Sequence, residues 1–144
     1  MVNRRLVVLI LFSLVLVWNF VLFPSKIELT DRTRVLQGVS LAKPYKEAIV
    51  AYWQSKAQFP AREDWDPGSL VLAEKLEKSL VESIIVGEEA SGSISVYFTS
   101  SKDPKAPAGI EGKKIVLTPS VQDGVVSWTC KGTLTEELLP VPCR

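Results

Sequence analysis

No histidine occurs among the 144 residues. Its absence removes the Ser-His and Cys-His pairings that activate a nucleophile, and with them zinc sites built on imidazole. Neither sign of charge dominates: 17 Lys and Arg against 16 Asp and Glu leave a net charge of +1. No strongly basic surface therefore advertises nucleic acid. A Gly-rich phosphate loop is also missing, since Gly87 and Gly92 read as turn glycines. The adjacent carboxylates Glu88-Glu89 and Glu136-Glu137 fall on a turn and a tail, where solvation is expected rather than acid–base work. No enzyme activity, cofactor or metal is expected. Two further scarcities concern the start of the chain: no glycine precedes Gly38, and no acid precedes Glu28.

What the chain does have is an uncharged apolar run from Leu6 to Phe23, relieved only by Ser13 and Asn19. At ~1.5 Å per residue such a run spans roughly 27 Å as a helix, close to the ~30 Å hydrocarbon core of a bilayer. Leu6, Leu9, Leu11, Leu14, Val17 and Phe20 are the expected anchor residues. Arg4 and Arg5 precede it, so the positive-inside rule places the N-terminus in the cytoplasm and the rest outside. A cleaved secretory signal shares the basic start and apolar core. The run is long for a signal core, however, and Trp18–Pro24 offers no small-x-small site, so an uncleaved anchor is expected. Either way the C-terminal part is exported. In an exported domain the two cysteines, Cys130 and Cys143, read as one disulfide, worth about 3 kcal/mol in the chain-entropy model.

Beyond Pro24, the residues Leu29, Val35, Leu36, Val39, Ala42, Tyr45, Ile49 and Tyr52 recur at steps of three and four. Charged residues fall largely between them, which predicts an amphipathic helix. Val35, Val39, Ala42, Tyr45, Ile49 and Tyr52 form its expected packing face. The reading is one long rod to about Ser55, bent or weakened at Gly38 and Pro44, and stopped by Phe59-Pro60. Asp66-Pro67-Gly68 marks a turn, and a short helix is expected over 70–78. The period then changes. Val81–Val86 is a β-branched strand, and Ile94, Val96 and Phe98 alternate with Ser93, Ser95, Tyr97 and Thr99 as a half-buried one. Ser100–Gly112 is an exposed connection, Lys114–Thr118 a third strand, and Asp123-Gly124 a hairpin signal before Val126, Trp128 and Cys130 of a fourth. Lys131–Arg144 is expected to be irregular and held by the disulfide. The fold class is α+β: a long N-terminal membrane-spanning helix packed by its soluble half on an antiparallel sheet of about four strands. Its expected segments are an anchor over 1–23, the soluble half of the helix over 24–60, and a head over 61–144.

This order of residues resembles the type IV pilins, the a-type pilins in particular. With Pro24 taken as the kink of the family's first helix, Thr30-Asp31-Arg32 and Val39-Ser40-Leu41-Ala42 fall on family segments. So do Tyr52-Trp53, Phe59-Pro60, Val81-Glu82-Ser83, Gly112-Lys113-Lys114, Gln122-Asp123-Gly124, Trp128-Thr129-Cys130 and the closing Leu139–Arg144. The likeness runs from Pro24 to the C-terminus and implies a pilin-like fold and a place in a pilus system. Before Pro24 the chain departs from the family. Pilin precursors end a short leader in glycine and carry an acid early in the membrane helix. Here Gly38 is the earliest glycine and Val7 stands at the acid's position, so an ordinary anchor is expected in place of prepilin processing. An unpaired acid in a low-dielectric core is costly, and losing acid and partner amine together is self-consistent.

The resemblance implies other pilins or pilus-assembly proteins as partners, together with inner-membrane lipid, and a non-enzymatic role as subunit, minor or tip component, or modulator. The alternative is an adhesion or DNA-uptake module working outside the filament. For that alternative, Lys102, Lys105, Lys113 and Lys114 form a loose basic cluster, against which stands a solvated face. Trp128 is expected in the core beside the disulfide. The bridged segment, with Lys131, Leu134, Glu136, Glu137, Leu138 and Leu139, reads equally as a partner-binding loop or as a plug over the sheet edge.

Overall fold

The computed structural model describes residues 26–66 and 73–144, with the side chains of 26–30, 73 and 74 excepted. The expected anchor residues Leu6, Leu9, Leu11, Leu14, Val17 and Phe20 lie outside the described residues. Among the described residues, no helix is long and apolar enough to cross a membrane.

Two helices take the place of the single rod expected past Pro24: α1 over Lys26–Ser40 and α2 over Lys43–Lys56. The break falls at Leu41–Ala42, within the turn that precedes Pro44. Pro44 has no N–H for the Ser40 carbonyl, and its ring would clash there if the helix ran through. The chain instead tightens, with Leu41 N–H donating to Gly38 O at 3.1 Å and Ala42 N–H to Val39 O at 3.0 Å, and restarts with Pro44 in the first turn of α2. Ala57 closes α2 in the left-handed region, its N–H donating to Trp53 O.

A short helix, α3, covers Ala73–Glu77. Four strands follow: β1 over Val81–Val86, β2 over Ile94–Phe98, β3 over Lys114–Gln122 and β4 over Val125–Gly132. They form one antiparallel sheet in the order β1-β2-β3-β4. A meander of this kind needs only short reversals. Asp123 and Gly124 supply the last one, both at positive φ (52° and 76°), which is the two-residue turn that matches strand twist. β3 and β4 are longer than their sequence pattern suggested, and β4 reaches into the segment expected to be irregular, taking in Lys131 and Gly132.

The core lies between the helices and one face of the sheet. Val35, Ala42, Tyr45 and Ile49 come down from the helices onto Val81, Val86, Ile94, Val96, Phe98, Ile115 and Leu117. A fully buried residue such as Ile49 contributes about 2–3 kcal/mol by removal from water. Gly38 sets the approach of α1: a Cβ there would stand 2.8 Å from Phe98 Cε1 and from Val81 Cγ2. Only glycine lets the helix lie this close.

One strand departs from its expected exposure. Ser93, Ser95 and Thr99 belong to the polar face of β2, yet all three are buried. Two of the hydroxyls have local work that keeps them from water. Ser93 Oγ accepts from the Glu89 and Ala90 N–H groups at 3.2 and 3.1 Å, closing the β1–β2 turn. Thr99 Oγ1 bonds Ser101 Oγ at 2.8 Å and donates to the Glu111 carboxylate at 3.2 Å.

Candidate functional site

The bridged C-terminal segment is the first place to look, because sequence left it open between a binding loop and a plug. Cys130 and Cys143 are joined, and the 3-10 turn Val141–Cys143 packs beside β4. Leu134, Leu138 and Leu139 fold back into the core, while Lys131, Glu136 and Glu137 remain exposed. Leu139 reaches the sheet over Gly132, where any Cβ would lie 2.4 Å from Leu139 Cδ2. The apolar half of the segment is therefore a plug. The exposed remainder is polar, apart from Val141 and Pro142.

Two arginines hold the flanking loops to α1. Arg32 Nε donates to Glu137 O at 2.8 Å, pinning the bridged segment. Arg34 donates through Nη1 to Lys105 O and through Nη2 to Asp103 Oδ2, each at 2.5 Å, pinning the β2–β3 connection. Residues two apart on a helix point to opposite flanks, so the two side chains clamp two different loops. The Glu137 carboxyl lies below the usual carboxylate range, through backbone and Thr135 hydrogen bonds and then the charges of Arg144 and Arg32. In the sequence these arginines look like ordinary polar-face residues. The i, i+2 spacing was the available signal.

The expected basic cluster does not assemble. Lys102 Nζ donates to the Leu76 and Val81 carbonyls at 3.1 and 2.7 Å, tying α3 to β1. Lys114 is drawn the other way, onto the solvent face of the sheet. There it pairs with Glu89, lies 3.6 Å from Glu88 and donates to Tyr97 Oη at 3.2 Å. Those partners hold its ammonium well above the ordinary lysine range, the Glu89 hydrogen bond most of all. Glu88 is held low, chiefly by the Tyr97 hydroxyl donating to it at 2.8 Å. Lys105 and Lys113 stay exposed, so a four-lysine surface for a phosphate backbone is not present.

The expected helix face is distributed as follows. Val35, Ala42, Tyr45 and Ile49 are buried in the core, Val39 is half-buried against it, and Tyr52 is half-buried. Trp128 is half-buried at the core margin, with Lys46 Nζ 5.2 Å from its ring centroid. Burial lowers the Lys46 pKa. Among the described residues no group of acids or cysteines is gathered as a metal site. The head is a helix-on-sheet frame with a covalently closed tail.

A family model for pilins, proteins of bacterial filaments, matches residues 32–144. The chain belongs to the pilin family. The match begins at Arg32, the first of the two clamping arginines, and closes at the residue after Cys143, so it takes in the whole head. Fimbrial protein EcpC of Eikenella corrodens is a relative, 26% identical over 121 residues that span 84% of this chain and 75% of that protein. This pilin is thus of the type IV kind, with helices laid on a four-stranded antiparallel sheet. Membership points to a structural subunit rather than an enzyme.

Proposed function

We propose that this pilin is a subunit of a type IV pilus, held in the inner membrane by residues 6–23 before assembly, with its head in the periplasm. The observation that carries the reading is the coincidence of the family match with the head, from Arg32 to the closed tail. The fimbrial name of its relative supports the same assignment. The apolar run ahead of α1 is long enough for a membrane span and, in a filament, for packing against the equivalent run of neighbouring subunits. The division of labour follows: the N-terminal apolar run holds the subunit in place, and the exposed parts of the head choose its neighbours. The polar rim of the bridged segment, Lys131, Glu136 and Glu137, is part of that choosing surface. A DNA-uptake role has little to rest on, because Lys102 is bonded to backbone carbonyls and Lys114 is paired with glutamates.

Immunogold labelling of piliated cells, with antibody raised against the head, tests this. Gold along the shafts or at their tips is the expected result and separates a repeating subunit from a tip component. Gold confined to the cell envelope, with unlabelled filaments, overturns the subunit reading and leaves a modulator.

A further inference from the structure

Two exposed features of the head are both largely apolar and carry exposed groups of opposite charge. The first is the tip of the β3–β4 hairpin. Val121 is 41% exposed and Val125 67% exposed, on opposite faces of the hairpin, and Asp123 stands between them in the turn. Large apolar side chains flanking a turn on both faces make a small knob, which water solvates poorly. The hairpin beneath is braced by the Ser120–Ser127 hydroxyl pair at 2.8 Å.

The second is a hollow of about 180 Å³ lined by Arg62, Trp65, Ile84, Ile85 and Val86. It is preformed. The Pro60–Trp65 segment is tied to the β1–β2 turn by Gly92 N–H donating to Pro60 O at 2.8 Å. Its backbone lies so close to Gly87 that a Cβ there would sit 2.7 Å from Arg62 N. Four of the five lining side chains are apolar or aromatic, and the fifth is a cation. Arg62 and Asp123 are both exposed, and neither has an ion pair among the described residues.

We infer that the Val121/Val125 knob of one copy of this pilin seats in the Arg62/Trp65/Ile84 hollow of a second copy, with Asp123 paired to Arg62 across the contact. The hollow lies against edge strand β1 and the knob rises from β3 and β4, at the other side of the sheet. Patch and counter-patch on different parts of one molecule give a heterologous contact, which propagates rather than closing into a pair. The inference deepens the pilus-subunit reading and rests on it for its biological setting.

The test is photocrosslinking with benzoylphenylalanine in place of Val125, in membranes and filaments of cells making two differently tagged full-length copies. The expected product joins the two tags, and its peptides map to 62–65 or 84–86. A second arm uses charge. D123R and R62D should each reduce the crosslink several-fold, and the double reversal D123R/R62D should restore it. Intermolecular products that map elsewhere, their absence from labelled filaments, or a double reversal no better than the singles overturn the contact. A chain missing from filaments that still forms the mapped crosslink in membranes defeats the pilus-subunit reading and leaves the contact standing.

Discussion

At the scale of single residues, Gly38 and Tyr97 carry more than their types suggest. Alanine favours a helix over glycine by about 1 kcal/mol, so an unencumbered Gly38→Ala would stabilise the chain. Here the added methyl meets Phe98 and Val81 at 2.8 Å. Overpacking of that kind costs about 1–3 kcal/mol, and the variant should unfold at lower urea or temperature than the parent. Tyr97 acts through Glu88. Its hydroxyl is the first cause of the depressed Glu88 pKa, so the carboxylate adds stability above the ordinary carboxylate range and loses it as pH falls through the depressed value. Tyr97→Phe should move the Glu88 titration up towards that of a free glutamate, read by side-chain NMR. The variant should be less stable than the parent at neutral and mildly basic pH, where Glu88 is ionised, and the deficit should shrink as pH falls through the carboxylate range. Lys114 has the opposite sign: its raised pKa gives stability present at neutral pH that fades only in strongly alkaline solution.

At the scale of elements, the sequence was most informative where polarity follows one rule and least where two rules compete. Alternation located Ile94, Val96 and Phe98 in β2, and Asp123-Gly124 named the β3–β4 turn, because period and turn chemistry are local. Ser93 and Thr99 went against the pattern because hydroxyl partners nearby in the chain allow them to be buried. The helix break was half legible: Pro44 announced a disturbance, but a proline can either bend a helix or begin a new one, and here it stands in the first turn of α2. The tail was legible only as a covalent loop, since the choice between plug and surface turns on Gly132 leaving room for Leu139. Removing the bridge with C130S/C143S should cost about 3 kcal/mol in the chain-entropy model, read from urea midpoints. Arg32→Ala loosens the same segment from the helix side. It should cost about 1 kcal/mol and speed hydrogen exchange at the Leu138 and Leu139 amides, both bonded to Thr135 O, with little change in the strands.

At the scale of the whole molecule, the head is a closed unit that spends its helix face on its own sheet. The polar rim of the tail, the hairpin tip and the hollow beside β1 are left exposed. Order of elements was legible from residue spacing, and the family from the resemblance of its motifs; which exposed side chains stand together was not, because folding brings them together. Quantitative mass spectrometry of sheared, washed filaments tests the account most directly. It predicts peptides of this head enriched with the filaments over the cell envelope, with Cys130 and Cys143 recovered as one bridged peptide pair. Filaments free of the chain, in cells whose envelopes contain it, would contradict the account.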